Sequence, residues 1–242
     1  MQAAQAASLF DGSIGHGDMQ KLLLKGVRYI KCYTELAFRG RPDTIEATID
    51  YCVDRPILMT QVRSEIVELG KLLQGVAPKR SLEIGTNYGG TLFLLCTVSP
   101  PGAQIISVDL GGGPFGGGYP RRKIPLYRKF PRNGQKLRLI RADSHLPETR
   151  VRVLDALQGD RLDYLFIDGD HTYEGVRRDF EMYSPLVRSD GLVAFHDIAK
   201  HRREPACEVD KFWNEIKQHY RHRELIENPN QGWAGIGVLF MP

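Results

Sequence analysis

The sequence predicts an α/β fold in which a mostly parallel, doubly wound sheet is covered by helices on both faces. From residue 81 onward, short apolar segments of strand length alternate with helical segments. Such alternation is typical of parallel sheets that are buried on both faces. The chain has 242 residues, of which 42% are hydrophobic and 26% charged. This balance suits one α/β domain with a modest extension.

The individual strands are predicted where runs of apolar residues lie between turn-forming segments. Five core strands are expected at residues 81–84, 104–109, 137–141, 164–167 and 192–195. Helices fit between them at residues 91–98, 151–157 and 173–187. A helix at 208–220 and two terminal strands at 224–226 and 235–241 complete the predicted order.

The region before the first strand is predicted to be helical. Residues 1–17 are small and polar and predict a loose arm. Helices follow at residues 19–38, 44–52 and 59–73. The apolar face of the first is formed by residues at helical spacing: Leu23, Val27, Ile30, Tyr33 and Ala37. We divide the chain into N-terminal arm and helices at 1–58, for substrate or oligomer contacts, and a core domain at 59–242.

Charge and composition exclude several classes of protein. The net charge of +4 comes without a basic stripe interleaved with aromatic residues, so no nucleic-acid partner is expected. No leader-like start and no apolar run of membrane-spanning length are present, which predicts a cytoplasmic protein without a membrane partner. The four cysteines form no C-x-x-C pair, and nothing requires disulfides.

A glycine-rich segment joins the first predicted strand to the next helix. Gly85 permits a sharp turn after Glu83, while Gly89 and Gly90 would let the backbone approach a ligand closely. The following helix N-terminus suits an anionic group. Asp109 ends the second predicted strand, where a carboxylate can accept both hydroxyls of a ribose.

Two further segments lie at the carboxyl ends of predicted strands. Asp143 and Ser144 follow the third strand, where polar groups can meet an adenine edge. Asp109 or Asp143 alone could equally cap a helix. The glycine-rich run at 111–118 follows the second strand. It is either a surface loop or a lid beside the ligand crevice, and we favour the lid.

The pattern Glu83-x-Gly85-x-x-x-Gly89-Gly90, with Asp109 and Asp143, resembles the class I S-adenosylmethionine-dependent methyltransferases over about residues 60–242. It differs from the G-x-G-x-x-G of dinucleotide-dependent dehydrogenases. The resemblance implies a Rossmann-like core with an antiparallel last strand. It also implies S-adenosylmethionine as cofactor, with the following residues at its site: Glu83, Gly85, Thr86, Tyr88, Gly89, Asp109, Leu110, Asp143, Ser144 and Asp168.

A second group of ionisable residues follows the fourth and fifth predicted strands. Asp168, Asp170 and His171 follow one strand, and His196 and Asp197 end the other. Because neighbouring parallel strands end at one edge of the sheet, these groups are expected to converge. Carboxylates with an imidazole suit Mg²⁺ or Mn²⁺, or else iron or zinc.

The Asp168-x-x-His171 spacing with a later acidic residue is similar to metal-dependent methyltransferases of macrolide sugars and to cephalosporin-hydroxylase-like proteins. That resemblance implies Asp168 and Asp197 as metal ligands and His171 as general base, with Asp168 as a second catalytic residue. Those families carry an acidic or amide residue at the position of His196, which we include as a third candidate ligand. Adjacent strand residues point to opposite faces, so His196 could instead be packed if Asp197 faces the site.

These residues together predict a divalent-metal-assisted O-methyltransferase acting on a hydroxyl of a small molecule, such as a sugar or natural product. The same fold with hydroxylase-like chemistry and a cofactor-binding protein without turnover remain alternatives. Asp168 and Asp170 could instead cap helices, and His171 could be structural. The apolar N-terminal helix suggests a homo-oligomer.

Overall fold

The computed structural model describes residues 16–112, 115 and 117–242. The seven strands are β1 (Arg80–Ile84), β2 (Gln104–Asp109), β3 (Lys136–Arg141), β4 (Leu162–Ile167), β5 (Val187–His196), β6 (Arg221–Leu225) and β7 (Ile236–Phe240). They form one sheet in the order β3-β2-β1-β4-β5-β7-β6.

Eight α-helices accompany the sheet in the described part of the chain. They are α1 (His16–Thr34), α2 (Ile45–Cys52), α3 (Arg63–Val76), α4 (Gly90–Val98), α5 (Ile124–Tyr127), α6 (Pro147–Leu157), α7 (Tyr173–Tyr183) and α8 (Val209–Ile216). A π-helical turn, Glu35–Arg39, continues α1, and 3-10 turns lie at Arg121–Lys123, Ser184–Leu186 and Lys217–His219.

The sheet topology confirms the predicted fold class. β1 to β5 pair in parallel, whereas β7 inserts antiparallel between β5 and β6. The register pairs Ile84 with both Val108 and Ile167, and Ile167 with Phe195. The carboxyl ends of β1, β2, β4 and β5 therefore lie at one level, which gives their following loops a common crevice.

The core lies on both faces of the sheet because successive strand residues alternate in direction. Phe166 packs with α2, α3 and α4, whereas its neighbours Leu165 and Ile167 pack with α6, α7 and α8. Three of the four cysteines, Cys32, Cys52 and Cys96, are buried in the first of these clusters, and all four cysteines are free.

Some predicted boundaries and faces differ from the structure. β5 begins five residues earlier than predicted, and α5 was not predicted because four residues are too few for a recognisable period. On α1, Leu23, Val27 and Ile30 are 61–63% exposed, so this part of the predicted apolar face does not contact the core, whereas Tyr33 packs against it. The loose arm predicted at 1–17 lies mostly outside the described residues. Among the helices that the structure describes, none is long and apolar enough to span a membrane.

Candidate functional site

A cavity of about 430 Å³ opens at the carboxyl ends of β1, β2, β4 and β5. Of the residues predicted to bind a cofactor, eight line it: Gly85, Thr86, Tyr88, Asp109, Leu110, Asp143, Ser144 and Asp168. The volume lies within the range of pockets that hold small organic ligands. The predicted cofactor residues and the predicted metal residues therefore border the same space.

The sharp turn after β1 depends on Gly85, whose φ is +85°. A Cβ there would overlap the backbone carbonyl of Asp168, because the Asp168 N–H donates to the Ile84 carbonyl at 2.8 Å and holds the two strand ends together. Gly89 and Gly90 were expected to leave room for a ligand. Their Cβ positions instead meet protein, since one faces the Tyr127 ring at 2.7 Å and the other the backbone of residues 58 and 59.

The Asp109 carboxylate binds the glycine-rich turn. Its Oδ2 accepts the backbone N–H groups of Thr86 and Asn87, both at 2.7 Å, and its Oδ1 accepts that of Tyr119 at 3.3 Å. Burial raises the pKa of Asp109, although these three donors oppose the shift. A carboxylate has about four acceptor positions. Asp109 therefore keeps capacity for about one ribose hydroxyl rather than the two expected from sequence.

Glu83 lies beneath the turn and outside the cavity lining. It accepts the Thr86 hydroxyl at 2.6 Å, and that hydroxyl also contacts the Ser107 hydroxyl at 2.7 Å. Burial raises the pKa of Glu83 to about 8, with further contributions from the charges of Asp168 and Asp109. Glu83 is therefore placed to hold the turn in shape, and it does not reach the cavity to touch a methionine group.

The loop after β3 presents Asp143 and Ser144 to the cavity together with His145, which was not predicted. Asp143 accepts the backbone N–H of His145 at 2.8 Å, and His145 lies 3.3 Å from the fully buried Asp179 carboxylate. The hydrogen bond to Asp179 is the largest influence on the pKa of His145, which is raised. Because Asp143 accepts only this one backbone N–H among the contacts described and lines the cavity, its carboxylate can still accept hydrogen bonds from a ligand.

Four of the predicted catalytic and metal residues form one connected cluster. His196 Nδ1 lies 3.2 Å from Asp168 Oδ1 and 3.3 Å from Asp197 Oδ2. His171 lies between the same two carboxylates, with Nε2 at 3.4 Å from Asp168 Oδ1 and Nδ1 at 3.2 Å from Asp197 Oδ2. Each imidazole therefore bridges both carboxylates, as the convergence of strand ends predicted.

His196 and Asp197 both reach this cluster although they are adjacent. Strand alternation would send them to opposite faces. β5 ends at His196, however, and Asp197 has a φ of +62°, in the left-handed region. This change of backbone conformation turns the Asp197 side chain toward the same space as His196. The alternative in which His196 is packed away from the site therefore does not hold.

The cluster is close to neutral because the two imidazoles balance the two carboxylates. Burial lowers the pKa of His171, but hydrogen bonds and charges from Asp168 and Asp197 outweigh it and raise the pKa to about 10. The same balance raises the pKa of His196 well above its usual range. Burial raises the pKa of both aspartates, yet His196 and His171 hold them below their usual values.

The donor set fits a divalent cation. Ligand atoms of Asp168, His196 and Asp197 all lie within 4.8 Å of one another. The buried Nε2 of His196 also has no hydrogen-bond partner among the described residues. Two carboxylates and an imidazole suit Mg²⁺, Mn²⁺ or a heavier divalent ion. A cation could replace the imidazolium protons as the balancing charge, so its binding would release protons.

Sequence reasoning missed residues that complete the cluster from distant segments. Gln61, before α3, donates to Asp168 Oδ2 at 3.0 Å, and His201 contacts Asp197 Oδ1 at 2.8 Å. The Cys207 thiol approaches His171 and Asp197, and the Phe115 ring stacks on His171 with centroids 4.9 Å apart. His201 lies in the basic segment His201-Arg202-Arg203. A histidine four residues after Asp197 was the only sequence signal for it.

Asp170 does not cap α7 itself, the role that we had left open, but holds Thr172, the residue that does. Its Oδ1 accepts the backbone N–H and the hydroxyl of Thr172 at 2.9 and 2.8 Å. The Thr172 hydroxyl in turn accepts the backbone N–H of Gly175 at 3.1 Å and caps α7. Asp170 therefore fixes the loop that presents Asp168 and His171, and it makes no contact with the cluster's carboxylates.

The metal-free protein is expected to lose stability as the pH rises above neutrality. The folded pKa of His171, about 10, exceeds the unfolded value of about 6.5, so its stabilisation is complete below about pH 6.5. Between pH 6.5 and 9.5 we expect His171 alone to account for a loss of up to about 4 kcal/mol in unfolding free energy, at about 1.4 kcal/mol per pH unit. Urea unfolding with a chelator present measures this loss.

The matched variant for that measurement is His171→Gln, which keeps hydrogen-bonding groups but does not titrate. Its stability should fall by up to about 4 kcal/mol less than that of the wild type over the same pH interval, because only the contribution of His196 remains. At acidic pH the two aspartates determine the loss of stability. Because the pKa values of Asp168 and Asp197 are lowered in the folded protein, their contribution to unfolding free energy is lost below about pH 4. Equal slopes for the variant and the wild type between pH 6.5 and 9.5 would contradict the assigned role of His171.

Comparison with known proteins supports the same fold and family. A protein-family model described as a methyltransferase domain matches residues 82–198. An uncharacterized protein, y4gI, of Sinorhizobium fredii is 30% identical over 172 residues, which are 70% of this chain and 18% of that relative. The chain therefore spans less than a fifth of that relative's length.

Two solved structures share the fold at low sequence identity. An O-methyltransferase from Bacillus cereus in complex with SAH is 14% identical with a TM-score of 0.54, and the match covers 89% of this chain and 99% of that one. The O-methyltransferase TomG from Streptomyces achromogenes, in complex with SAM, is also 14% identical. Its TM-score is 0.53, with 90% and 99% of the two chains covered.

The family match covers the segment from β1 to the residue after Asp197, which holds the glycine-rich turn, Asp109 and the Asp168–Asp197 cluster. The sheet order with β7 inserted antiparallel agrees with this assignment. Residues 82–198 therefore match a methyltransferase domain, and the sheet of this chain has the fold of the two solved O-methyltransferases.

Proposed function

We propose that this protein transfers the methyl group of S-adenosylmethionine to a hydroxyl of a small molecule, with a divalent cation held by Asp168, His196 and Asp197. The observation that carries the proposal is the cluster's position on the wall of the same cavity as the glycine-rich turn. A methyl donor on the turn and a hydroxyl at the cluster would meet in one enclosed space. Such positioning accounts for a large part of the rate of group transfer.

The residues on the Gly85 side of the cavity would hold the cofactor. Asp109 offers an acceptor position to the ribose, Asp143 and Ser144 border the adenine side, and Tyr88 lies beside the turn. Tyr88 is itself fixed by Lys123, whose ammonium lies 4.5 Å from the ring centroid. The bound cofactor supplies an electrophilic methyl group on a sulfonium.

The cluster residues would orient and deprotonate the acceptor. A cation held by them supplies positive charge that lowers the pKa of a nearby hydroxyl. His171 Nε2, whose contact with Asp168 is the longer at 3.4 Å, would accept the hydroxyl proton once the cation has replaced its own. Transfer of the methyl group from the sulfonium sulfur to the acceptor oxygen would form the new carbon–oxygen bond, break the carbon–sulfur bond and release S-adenosylhomocysteine as a neutral thioether.

The cavity mouth favours an acceptor with an apolar ring face. Leu58, Tyr88, Leu110 and Trp233 line the cavity and are between 39% and 47% exposed. Trp233, His201 and Glu204 all line the cavity, and Ala234, next to Trp233, donates its backbone N–H to His201 Nε2 at 3.2 Å. A hydroxylated ring, as in a sugar or a polyketide-type product, could place one face on such side chains and one hydroxyl at the cluster.

Calorimetric titration of the purified chain with S-adenosylmethionine tests the cofactor part of this proposal. We expect micromolar affinity, and about equal affinity for S-adenosylhomocysteine, because the proposed contacts avoid the transferred methyl group. The matched variant Asp109→Asn keeps the side-chain shape but removes charge from the ribose side, and should bind at least about tenfold more weakly. Absence of heat at millimolar cofactor would reject the cofactor assignment.

A further inference from the structure

Cys207 is a buried thiol beside the cluster that the proposed methyl transfer does not use. It lies in the segment between β5 and α8 and is only 5% exposed. Its backbone N–H donates to the Glu204 carbonyl at 3.0 Å, and the next residue, Glu208, donates to the His171 carbonyl at 2.7 Å. These backbone hydrogen bonds hold the Cys207 segment against the His171 loop.

Three different ligand types meet at this point. An imidazole nitrogen of His171, a carboxylate oxygen of Asp197 and the Cys207 sulfur all lie within 4.8 Å of one another. The second, overlapping group at Asp168, His196 and Asp197 offers only nitrogen and oxygen. The unpartnered, buried Nε2 of His196 shows that the surrounding protein does not satisfy every polar atom of this region.

The chemistry of the two groups differs. Hard cations such as Mg²⁺ prefer oxygen ligands, whereas thiolate and imidazole select Zn²⁺ and other ions late in the first transition series. One cysteine, one histidine and one carboxylate are all common zinc ligands, and three protein ligands leave a fourth position open. Asp197 belongs to both groups, so occupation of one affects the other.

We propose that His171, Asp197 and Cys207 form a binding site for a thiophilic divalent cation such as Zn²⁺, in addition to the N/O site of the proposed function. Binding requires an unprotonated His171 nitrogen and the Cys207 thiolate, so protons are released to solvent. With His171 ligated, the proposed general base is no longer free. Zinc at this site therefore inhibits methyl transfer, whereas magnesium does not occupy it.

Cobalt(II) reports on this site directly, because a bound thiolate gives cobalt an intense near-ultraviolet charge-transfer absorption that nitrogen and oxygen ligands alone do not give. The full chain, freed of metal with a chelator and then dialysed, is titrated with Co²⁺. We expect this absorption in the wild type and in Asp168→Asn, which removes a carboxylate of the N/O group but none of the three ligands His171, Asp197 and Cys207. We expect its loss in Cys207→Ser, and its removal from the wild type by Zn²⁺ but not by Mg²⁺.

Two controls make the test decisive. Cys96→Ser removes a buried thiol elsewhere, in α4, and should keep the cobalt absorption. Zn²⁺ affinity, measured against a chromophoric chelator, should fall at least about tenfold in Cys207→Ser, while its metal-free melting temperature stays near that of the wild type. An absorption that persists in Cys207→Ser, or none in the wild type at excess Co²⁺, would overturn the proposal.

The result is independent of the methyltransferase assignment. Cobalt and zinc binding are read without cofactor or acceptor, so they succeed or fail whether or not methyl transfer occurs. If the cobalt absorption is seen but no acceptor is methylated, only the proposed function is rejected. If methyl transfer is found with no thiolate–cobalt signal, only the Cys207 site is rejected.

Discussion

Replacing Asp197 with asparagine is expected to lower methyl transfer at least about 100-fold while the affinity for S-adenosylmethionine changes little. Asp197 contacts both imidazoles of the cluster and also His201, at 2.8–3.3 Å. The amide cannot balance their charge and is a poor cation ligand, so the metal contribution and the proton acceptor are both lost. Asparagine tolerates the left-handed conformation at φ +62°, so the backbone should persist.

The matched control is Asp190→Asn. Asp190 has the same φ of +62° but is exposed on β5, away from the cavity. The Asp190→Asn variant makes the same chemical change in the same backbone conformation, and its turnover should stay within about twofold of the wild type. Steady-state rates with and without Mn²⁺, together with cofactor calorimetry, measure the effect. If Asp197→Asn were as active as Asp190→Asn, the cluster would not be the catalytic centre.

Replacing Gly85 with alanine is expected to destabilise the fold and abolish cofactor binding. The added Cβ meets the Asp168 carbonyl at a backbone–backbone contact that cannot be relieved by a side-chain rotation. The left-handed conformation adds a cost of about 1–2 kcal/mol for any residue with a Cβ, and forced overlap in a packed site adds about 1–3 kcal/mol. A total near 4 kcal/mol should lower the melting temperature by about 10 °C.

Gly102→Ala separates the two contributions. Gly102 also has a positive φ, +75°, but nothing lies within 4 Å of its Cβ position. It therefore carries the conformational cost alone, about 1–2 kcal/mol, and should melt only about 3–6 °C below the wild type. Calorimetric melting of both variants measures the difference. Equal decreases in melting temperature for the two variants would show that the close contact between Gly85 and the Asp168 carbonyl does not contribute to the destabilisation.

The fold could be predicted well from the sequence because the signals for it are local. The alternation of buried strands at residues 104–109 and 164–167 with helical segments depends only on the order of apolar residues. Parallel connection of such strands then places their carboxyl ends on one edge. Asp109, Asp168 and Asp197 were found by this rule, and all three line one cavity.

The roles of the glycines and of Glu83 could not be predicted in the same way. Gly89 permits a positive φ and the close approach of Tyr127, whereas the sequence suggested room for a ligand. Glu83 ends beneath the turn, bonded to the Thr86 hydroxyl. A motif shows where the chain must turn, but which atoms fill the resulting space depends on segments far away in sequence.

The sequence by itself determined the sheet, its ligand-binding edge and the acidic residues at that edge, since each follows from short-range periodicity and from strand direction. Only the tertiary structure decided that His196 and Asp197 share one space, through the left-handed backbone at Asp197. The tertiary structure also places Gln61 and Cys207 beside this cluster. Those contacts join residues on separate loops. The position of a loop is determined by its packing and not by a repeating pattern of backbone hydrogen bonds, so no local sequence pattern predicts which residues it will contact.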